Sequence, residues 1–198
     1  FAVPASIYVK VGGMNKNKAG EDFYFLQKVF PFGNIRFLKN TCVKPSSRPS
    51  WRVPFGTGAA IQKIINSPSL GYNTYHPDQF EALKKFVVLC ESFYQGEKEQ
   101  IKISISSLPS YFKNFLEQNG FFEKITELNN NSSSLQSFIK RFYSWFNAFM
   151  VIKYLNYSRA QLTSEITICE AVSIFLNIRE DSGAEKLLSI LRERDMET

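Results

Sequence analysis

The stretch LQSFIKRFYSWFNAFMVI, Leu135–Ile152, decides how the larger part of this chain reads. Leu135, Phe138, Phe142, Trp145, Phe149 and Ile152 recur in steps of three, four, three, four and three. That spacing lines up bulky apolar side chains on one face of a helix. It predicts a single helix from Leu135 to Ile152 with its stripe buried in a core. Lys140, Arg141 and Lys153 then belong to a solvated face. Together with Asn147 they keep the stretch short of the ~20 apolar residues that a bilayer-spanning helix needs.

The same texture extends outward to both sides, over residues 76–198. Pro77 at a first helical turn, followed by Asp78 and Glu81, starts a helix that runs to about Tyr94. Phe80, Leu83, Val87, Cys90 and Tyr94 share its apolar face, and His76 is its starting residue. Gly96–Lys102 is a polar break. Leu108, Tyr111, Phe112, Phe115 and Leu116 mark another helix, which Gly120 ends. Phe122, Ile125 and Leu128 give a further short turn pair, and Asn129–Ser134 is a connector. Beyond the long stripe, Thr163 or Ser164 caps a helix carrying Cys169, Val172, Phe175 and Leu176. Ser182-Gly183 breaks it, and Leu187, Leu188 and Leu191 open the last helix.

The first third is different. Residues 1–70 hold six of the ten Gly, most of the Pro and several short β-like runs. Ala5–Val11 is a short segment closed by Gly12-Gly13. Gly20 precedes EDFYFLQKVF, in which Phe23, Leu26 and Phe30 fall on one helical face, with Gly33 as C-cap. Asn34–Val43 reads as extended. Pro45–Gly58, PSSRPSWRVPFGTG, is a loop rich in Pro and Gly that carries Arg48, Trp51 and Arg52, and Gly58–Ile65 begins a short helix. The turn formers of Asn66–Tyr75 mark a boundary, giving regions 1–70 and 76–198. The expected fold is mainly α, with a few short strands confined to residues 1–60 and a bundle of helices after residue 75.

Composition narrows the function. With 198 residues, 44% hydrophobic and 15% aromatic, the chain is neither disordered nor collagen-like. Its net charge of +6 sits largely in residues 10–63 and suits phosphate-bearing ligands or an anionic surface. No dense Lys/Arg stripe or known binding motif points to nucleic acid. Cys42, Cys90 and Cys169 form no CxxC, and His76 is the single histidine, which argues against a disulfide scaffold and against zinc or His-based metal clusters. There is no GxGxxG, Walker loop or HExxH.

Two segments remain as site candidates. Glu21 and Asp22 stand at the first turn of an expected helix, where the helix dipole and unpaired N–H groups favour carboxylates. Being about 100° apart around the axis, one can secure the backbone while the other faces a cleft. Ordinary helix-start chemistry also accounts for them. Arg48 and Arg52 in a constrained loop can grip a phosphate through paired N–H donors, with Trp51 stacking on a sugar or base. A structured surface loop with a buried Trp is the other reading.

In order along the chain, FAVPASIYVKVGGMNKNKAGEDFYFLQKVFPFG (residues 1–33) and NIRFLKNTCVKPSSRPSWRVPFGTG (residues 34–58) resemble the second half of the catalytic domain of bacterial family 2 glycosyltransferases, which have the GT-A fold. Val11-Gly12-Gly13-Met14 matches the family's V-G-G-F/M segment, and Gly20-Glu21-Asp22 matches its G-E-D motif on a helix. The resemblance covers residues 1–65; the helical remainder matches no family pattern.

The resemblance implies the C-terminal part of a GT-A-like α/β domain followed by a helical region. It implies inverting transfer of a sugar from a nucleotide-sugar donor to the hydroxyl of a glycan or lipid-linked acceptor. Asp22 would be the general base, Glu21 its support, and Gly12 and Gly13 would allow close approach at the acceptor side. Arg48, Trp51 and Arg52 would contact the donor. The family's nucleotide-binding half, with an Asp-x-Asp that holds Mg²⁺ or Mn²⁺, precedes these motifs. The Asp residues here are Asp22, Asp78, Asp181 and Asp195, so Asp-x-Asp does not occur. With Phe1 in place of Met, the expectation is the later piece of a longer cytoplasmic enzyme, peripheral at the inner face of the membrane. Such a piece would be inactive alone and prone to self-association. A helical protein-interaction module without catalytic activity is the competing reading.

Overall fold

In the computed structural model, which describes residues 1–16, 20–38, 41, 57–66, 73–162, 166–178 and 183–197, 72% of the described residues are helical and a single pair of two-residue strands is present. The chain divides into two units, Phe1–Tyr72 with Ile190–Thr198, and Asn73–Ser189.

The smaller unit carries α1 (Ala5–Lys10), α2 (Glu21–Val29), a 3-10 turn at Phe30–Phe32 and α3 (Thr57–Asn66). Phe25 of α2 is its one fully buried apolar side chain among the described residues of 1–66. The Phe1 ring stacks on it with centroids 5.8 Å apart, and Tyr8 of α1 leans on it at 5.5 Å. The sequence pattern placed Phe23, Leu26 and Phe30 on the buried face. Instead Phe25 is clasped by Phe1 and Tyr8, while Phe30 is about half exposed.

The larger unit contains β1 (Asn73–Thr74), α4 (Pro77–Val88), a 3-10 turn at Cys90–Phe93, α5 (Lys98–Ile105), α6 (Ser110–Gln118), α7 (Phe121–Asn130), α8 (Leu135–Trp145), α9 (Ala148–Gln161), β2 (Ile166–Thr167) and α10 (Ile168–Leu176). α11 (Ala184–Glu197) crosses the division between the units. The core is aromatic and has Phe86 of α4 at its middle, with no exposure. Its ring meets Phe146 at 4.8 Å, Phe112 at 5.0 Å, Phe93 at 5.7 Å, Phe121 at 5.8 Å and Phe142 at 5.9 Å. α4, α6, α7 and α8 therefore converge on one side chain. Offset and edge-on ring pairs at such distances each add ~0.5–1.5 kcal/mol beyond burial. On α9, Tyr154 packs at 4.3 Å from Phe112.

A buried polar staple fixes α4 against α9. Gln79, fully buried, donates from Nε2 to the Leu155 carbonyl at 2.9 Å and to the Ser158 hydroxyl. Its Oε1 accepts from the His76 N–H at 2.8 Å, and its own carbonyl accepts from the Tyr154 hydroxyl at 3.0 Å. Every group in the staple is paired, which is the condition for burying polar atoms without a penalty. His76 is the N-cap of α4, its Nδ1 accepting from the Asp78 N–H at 3.2 Å.

The local pattern misplaced several elements. The stripe of Leu135–Ile152 is two helices, because Asn147 turns its side chain onto the N–H groups of Phe149 (3.0 Å) and Met150 (3.3 Å) and starts α9 afresh. Lys98–Ile105, read in part as a polar break, is α5; Ile101 and Ile105, four apart, bury on one side of it, and Gln100 Oε1 accepts from the Glu97 N–H at 3.4 Å. Ala5–Lys10, read only as part of a short segment closed by Gly12-Gly13, is helical, with the Ile7 and Tyr8 N–H groups donating to the Pro4 carbonyl. Strands were expected within residues 1–60. Among the described residues they occur at 73–74 and 166–167, paired antiparallel with Asn73 opposite Thr167 and Thr74 opposite Ile166. Residues 34–38 are irregular, and Thr163 and Ser164 lie outside the described residues. Thr167 caps α10, accepting from the Glu170 N–H at 3.3 Å. No described helix is long and apolar enough to cross a membrane.

Candidate functional site

Gly20 sits at φ +74°, in the left-handed region that favours glycine, and its carbonyl accepts the first helical bond of α2 from Tyr24. Glu21 and Asp22 follow on the first turn and both are exposed. Asp22 Oδ1 accepts from the N–H of Phe23 at 2.7 Å, which satisfies one unpaired donor of the helix start. Oδ2 has no hydrogen-bond partner among the described residues. The pair therefore divides as a helix start allows, with one carboxylate oxygen committed to backbone and the rest facing outward.

Gly12 and Gly13 close α1 at φ +72° and +67°. At Gly12 a side chain would meet open space, so backbone conformation alone favours glycine. At Gly13 a Cβ would also press to 3.1 Å from the Tyr8 ring, the ring that covers Phe25. The turn is tied to α2 by a residue that sequence reasoning did not single out. Lys28, on the last turn of α2, donates from Nζ to Asn15 Oδ1 at 2.7 Å and to the Gly13 carbonyl at 3.4 Å. A lone lysine near a glycine pair carries no spacing signal, so nothing in the sequence flagged it.

The structure thus brings the Gly-Gly turn and the acid pair onto one small framework, at opposite ends of α2. At 1.5 Å of rise per residue, Lys28 is about 9 Å along the axis from Asp22. No hydrogen bond joins Gly12 or Gly13 to Glu21 or Asp22 among the described residues. Arg48, Trp51 and Arg52 lie outside the described residues. Among the described residues no three His, Cys, Asp or Glu side chains come together to hold a metal.

The larger unit offers a shallow cleft of about 240 Å³ lined by Lys102, Ile105, Ser106, Lys113, Leu116, Glu117 and Phe122. Its cations are already engaged: Lys102 pairs with Glu99 at 2.7 Å, and Lys113 donates to the Ser106 carbonyl at 3.3 Å. Cys90 is buried, and burial followed by the neighbouring Glu91 pushes its thiol up to about 11, so it is a thiol at neutral pH and a poor nucleophile. Burial, then the neighbouring Tyr111, likewise pushes the Tyr154 hydroxyl up, in keeping with its role as a donor to Gln79.

No family model, curated protein or solved structure matches the chain.

Proposed function

We propose that this chain is the acceptor-side part of an inverting, family 2-like glycosyltransferase with Asp22 as its catalytic base. The observation that carries the reading is the exposed acid pair on the first turn of α2, directly after a left-handed Gly20, with a Gly-Gly turn anchored to the same helix. In the reaction, the acceptor oxygen attacks the anomeric carbon of a nucleotide sugar from the face opposite the diphosphate. Its proton passes to Asp22 as the new C–O bond forms, and the old C–O bond breaks with its electron pair leaving on the nucleoside diphosphate. A carboxylate needs only to lie within hydrogen-bond reach of that hydroxyl. Glu21 supports the helix start, and Gly12 and Gly13 keep the turn open to an approaching glycan or lipid-linked acceptor. Arg48 and Arg52 steady the diphosphate, beside Trp51.

In this reading residues 1–65 complete a GT-A-like domain whose nucleotide-binding half, with its Asp-x-Asp and Mg²⁺ or Mn²⁺, lies earlier in the parent enzyme, in the cytoplasm at the inner face of the membrane. The upstream reading frame gives the first test: a strand–helix alternation with an Asp-x-Asp supports the proposal, and a frame without one sinks it. The second test is Asp22→Asn in that parent enzyme. Turnover should fall ~10²–10⁴-fold while donor binding and melting temperature hold. Glu21→Gln should lose less, partly through stability.

One observation favours a second reading, a helical interaction module without catalysis: on α10, Ile168, Ile174 and Phe175 are exposed. Near-normal turnover in Asp22→Asn would favour it.

A further inference from the structure

Eight consecutive residues, Pro31–Leu38, are all exposed. Four of them are large and apolar: Phe32 at 41%, Ile35 at 50%, Phe37 at 87% and Leu38 at 73%. Residues 33–38 have no regular backbone pairing among the described residues, and the apolar groups of Ile35, Phe37 and Leu38 are exposed. Lys10 joins it to α1, with Nζ 4.8 Å from the centre of the Phe32 ring, and Val9 beside Lys10 is 76% exposed. An apolar surface of this kind on a small unit marks a contact site.

The distribution of charge along the sequence chooses the partner. From Phe23 to Pro77 the sequence contains no Asp or Glu, while Lys28, Arg36, Lys39, Lys44, Arg48, Arg52 and Lys63 all fall within it. Residues 1–72 carry ten Lys and Arg against Glu21 and Asp22, and the rest of the chain is net acidic. The whole positive excess therefore belongs to the region that bears the exposed segment. Phenylalanine with aliphatic side chains, interleaved with Arg36 and flanked by Lys39, suits a headgroup–acyl boundary, where rings and aliphatic groups enter the lipid and cations meet phosphates. A single-stranded nucleic acid would use the rings for stacking and would gain little from Val9, Ile35 and Leu38.

We propose that the Pro31–Leu38 segment and the adjoining Val9–Lys10 end of α1 dock on the anionic face of a lipid bilayer. The inference deepens the placement at the membrane face given with the transferase reading, and its vesicle test is separate from the turnover test of that reading. The test is sedimentation of the purified 198-residue chain with vesicles of phosphatidylcholine alone or with about one third phosphatidylglycerol. Binding is expected to the anionic vesicles, roughly tenfold or more above the neutral ones, and to fall by a similar factor between 0.1 and 0.5 M salt. Phe37→Ser with Leu38→Ser should weaken it by about tenfold or more, because their insertion is lost. Arg36→Glu should weaken it while leaving the apolar groups in place. Circular dichroism should show that each variant keeps its helices. Absent binding, or equal binding to both vesicles, overturns the proposal. So does a soluble oligomer, seen by light scattering, that the double serine variant dissociates while no vesicle is bound. Tight binding of an oligonucleotide through Phe37 and Leu38, with no vesicle binding, overturns it as well.

Discussion

Both units of this chain are rich in aromatic residues, yet they spend them in opposite ways. In the larger unit most of the phenylalanine rings point inward, Phe80, Phe149 and Phe175 being the exposed ones among the described residues. Phe86, Phe93, Phe112, Phe121, Phe138 and Phe142 lose at least 98% of their exposure and stack into one cluster. In the described part of the smaller unit Phe25 alone does so, while Phe1, Phe30, Phe32 and Phe37 keep between 41% and 87%. Burying a phenylalanine is worth ~1.5–3 kcal/mol, so the same residue type stabilises one unit and leaves the other's surface available for contact. The lesson is that aromatic content measures core only when helical spacing points the rings the same way. Spacing of three and four does that in α8, and the irregular Asn34–Leu38 segment does not.

The largest effect expected is a direct break of this comparison. Phe86→Ala should destabilise the chain by ~3–5 kcal/mol, since it opens a cavity where four helices meet. Phe37→Ala should stay within ~0.5 kcal/mol, as suits an exposed side chain. Urea unfolding followed by far-ultraviolet circular dichroism measures both. Equal losses at the two positions would mean that Phe37 is packed in solution and that the contrast between the units is false.

Much of the larger unit was legible because its helices are amphipathic and short-range. Phe112, Phe115 and Leu116 announce α6, and Pro77 with Asp78 announces the start of α4. What escaped depends on single polar residues or on distance along the chain. The pairing of Asn73 with Thr167 joins positions far apart along the unit and leaves no local trace. The start of α5 was hidden by polar Glu97–Lys102, although Glu97 and Gln100 stand at capping-box spacing, which was the available signal. At the candidate site, the acid pair on a helix start was readable from Gly20-Glu21-Asp22. The Lys28 tether was not, because a long cation reaching two carbonyl-type oxygens follows from the fold of the turn and from no pattern.

Asn147 gives the next largest effect. An unbroken apolar stripe favours one long helix, and the cap opposes it. Asn147→Ala removes both bonds to Phe149 and Met150 while adding the best helix former, so it tests which force sets the corner between α8 and α9. A loss of about 1 kcal/mol is expected, with faster hydrogen exchange at the Phe149 and Met150 amides. Unchanged or increased stability would show that the packing of Phe146 against Phe86 makes the corner without help, and would sharpen the primacy of the aromatic core.

The smallest effect belongs to the cap of α10, at the edge of the same unit, where polar chemistry acts with no burial. Glu170 accepts from the Thr167 N–H at 2.9 Å and from its hydroxyl at 2.8 Å. The backbone bond first, then the hydroxyl, hold its carboxyl below the ordinary glutamate value near 4.5. A depressed value means that the folded chain favours the ionised form. The stabilisation is therefore fully present above the unfolded value, and it fades as pH falls through the lower folded one. Because the carboxylate is exposed, water and salt screen it, and the contribution is small. Glu170→Gln keeps an acceptor oxygen but discards the charge. The parent chain should be slightly more stable than this variant at pH 7, and the difference should shrink as pH falls below the ordinary glutamate value. A difference that persists unchanged at pH 3 would assign the cap to the geometry of its hydrogen bonds rather than to charge. Phe86→Ala, by contrast, should cost the same at either pH, since no titrating group is removed. The two variants measured side by side separate what the core contributes from what the surface contributes.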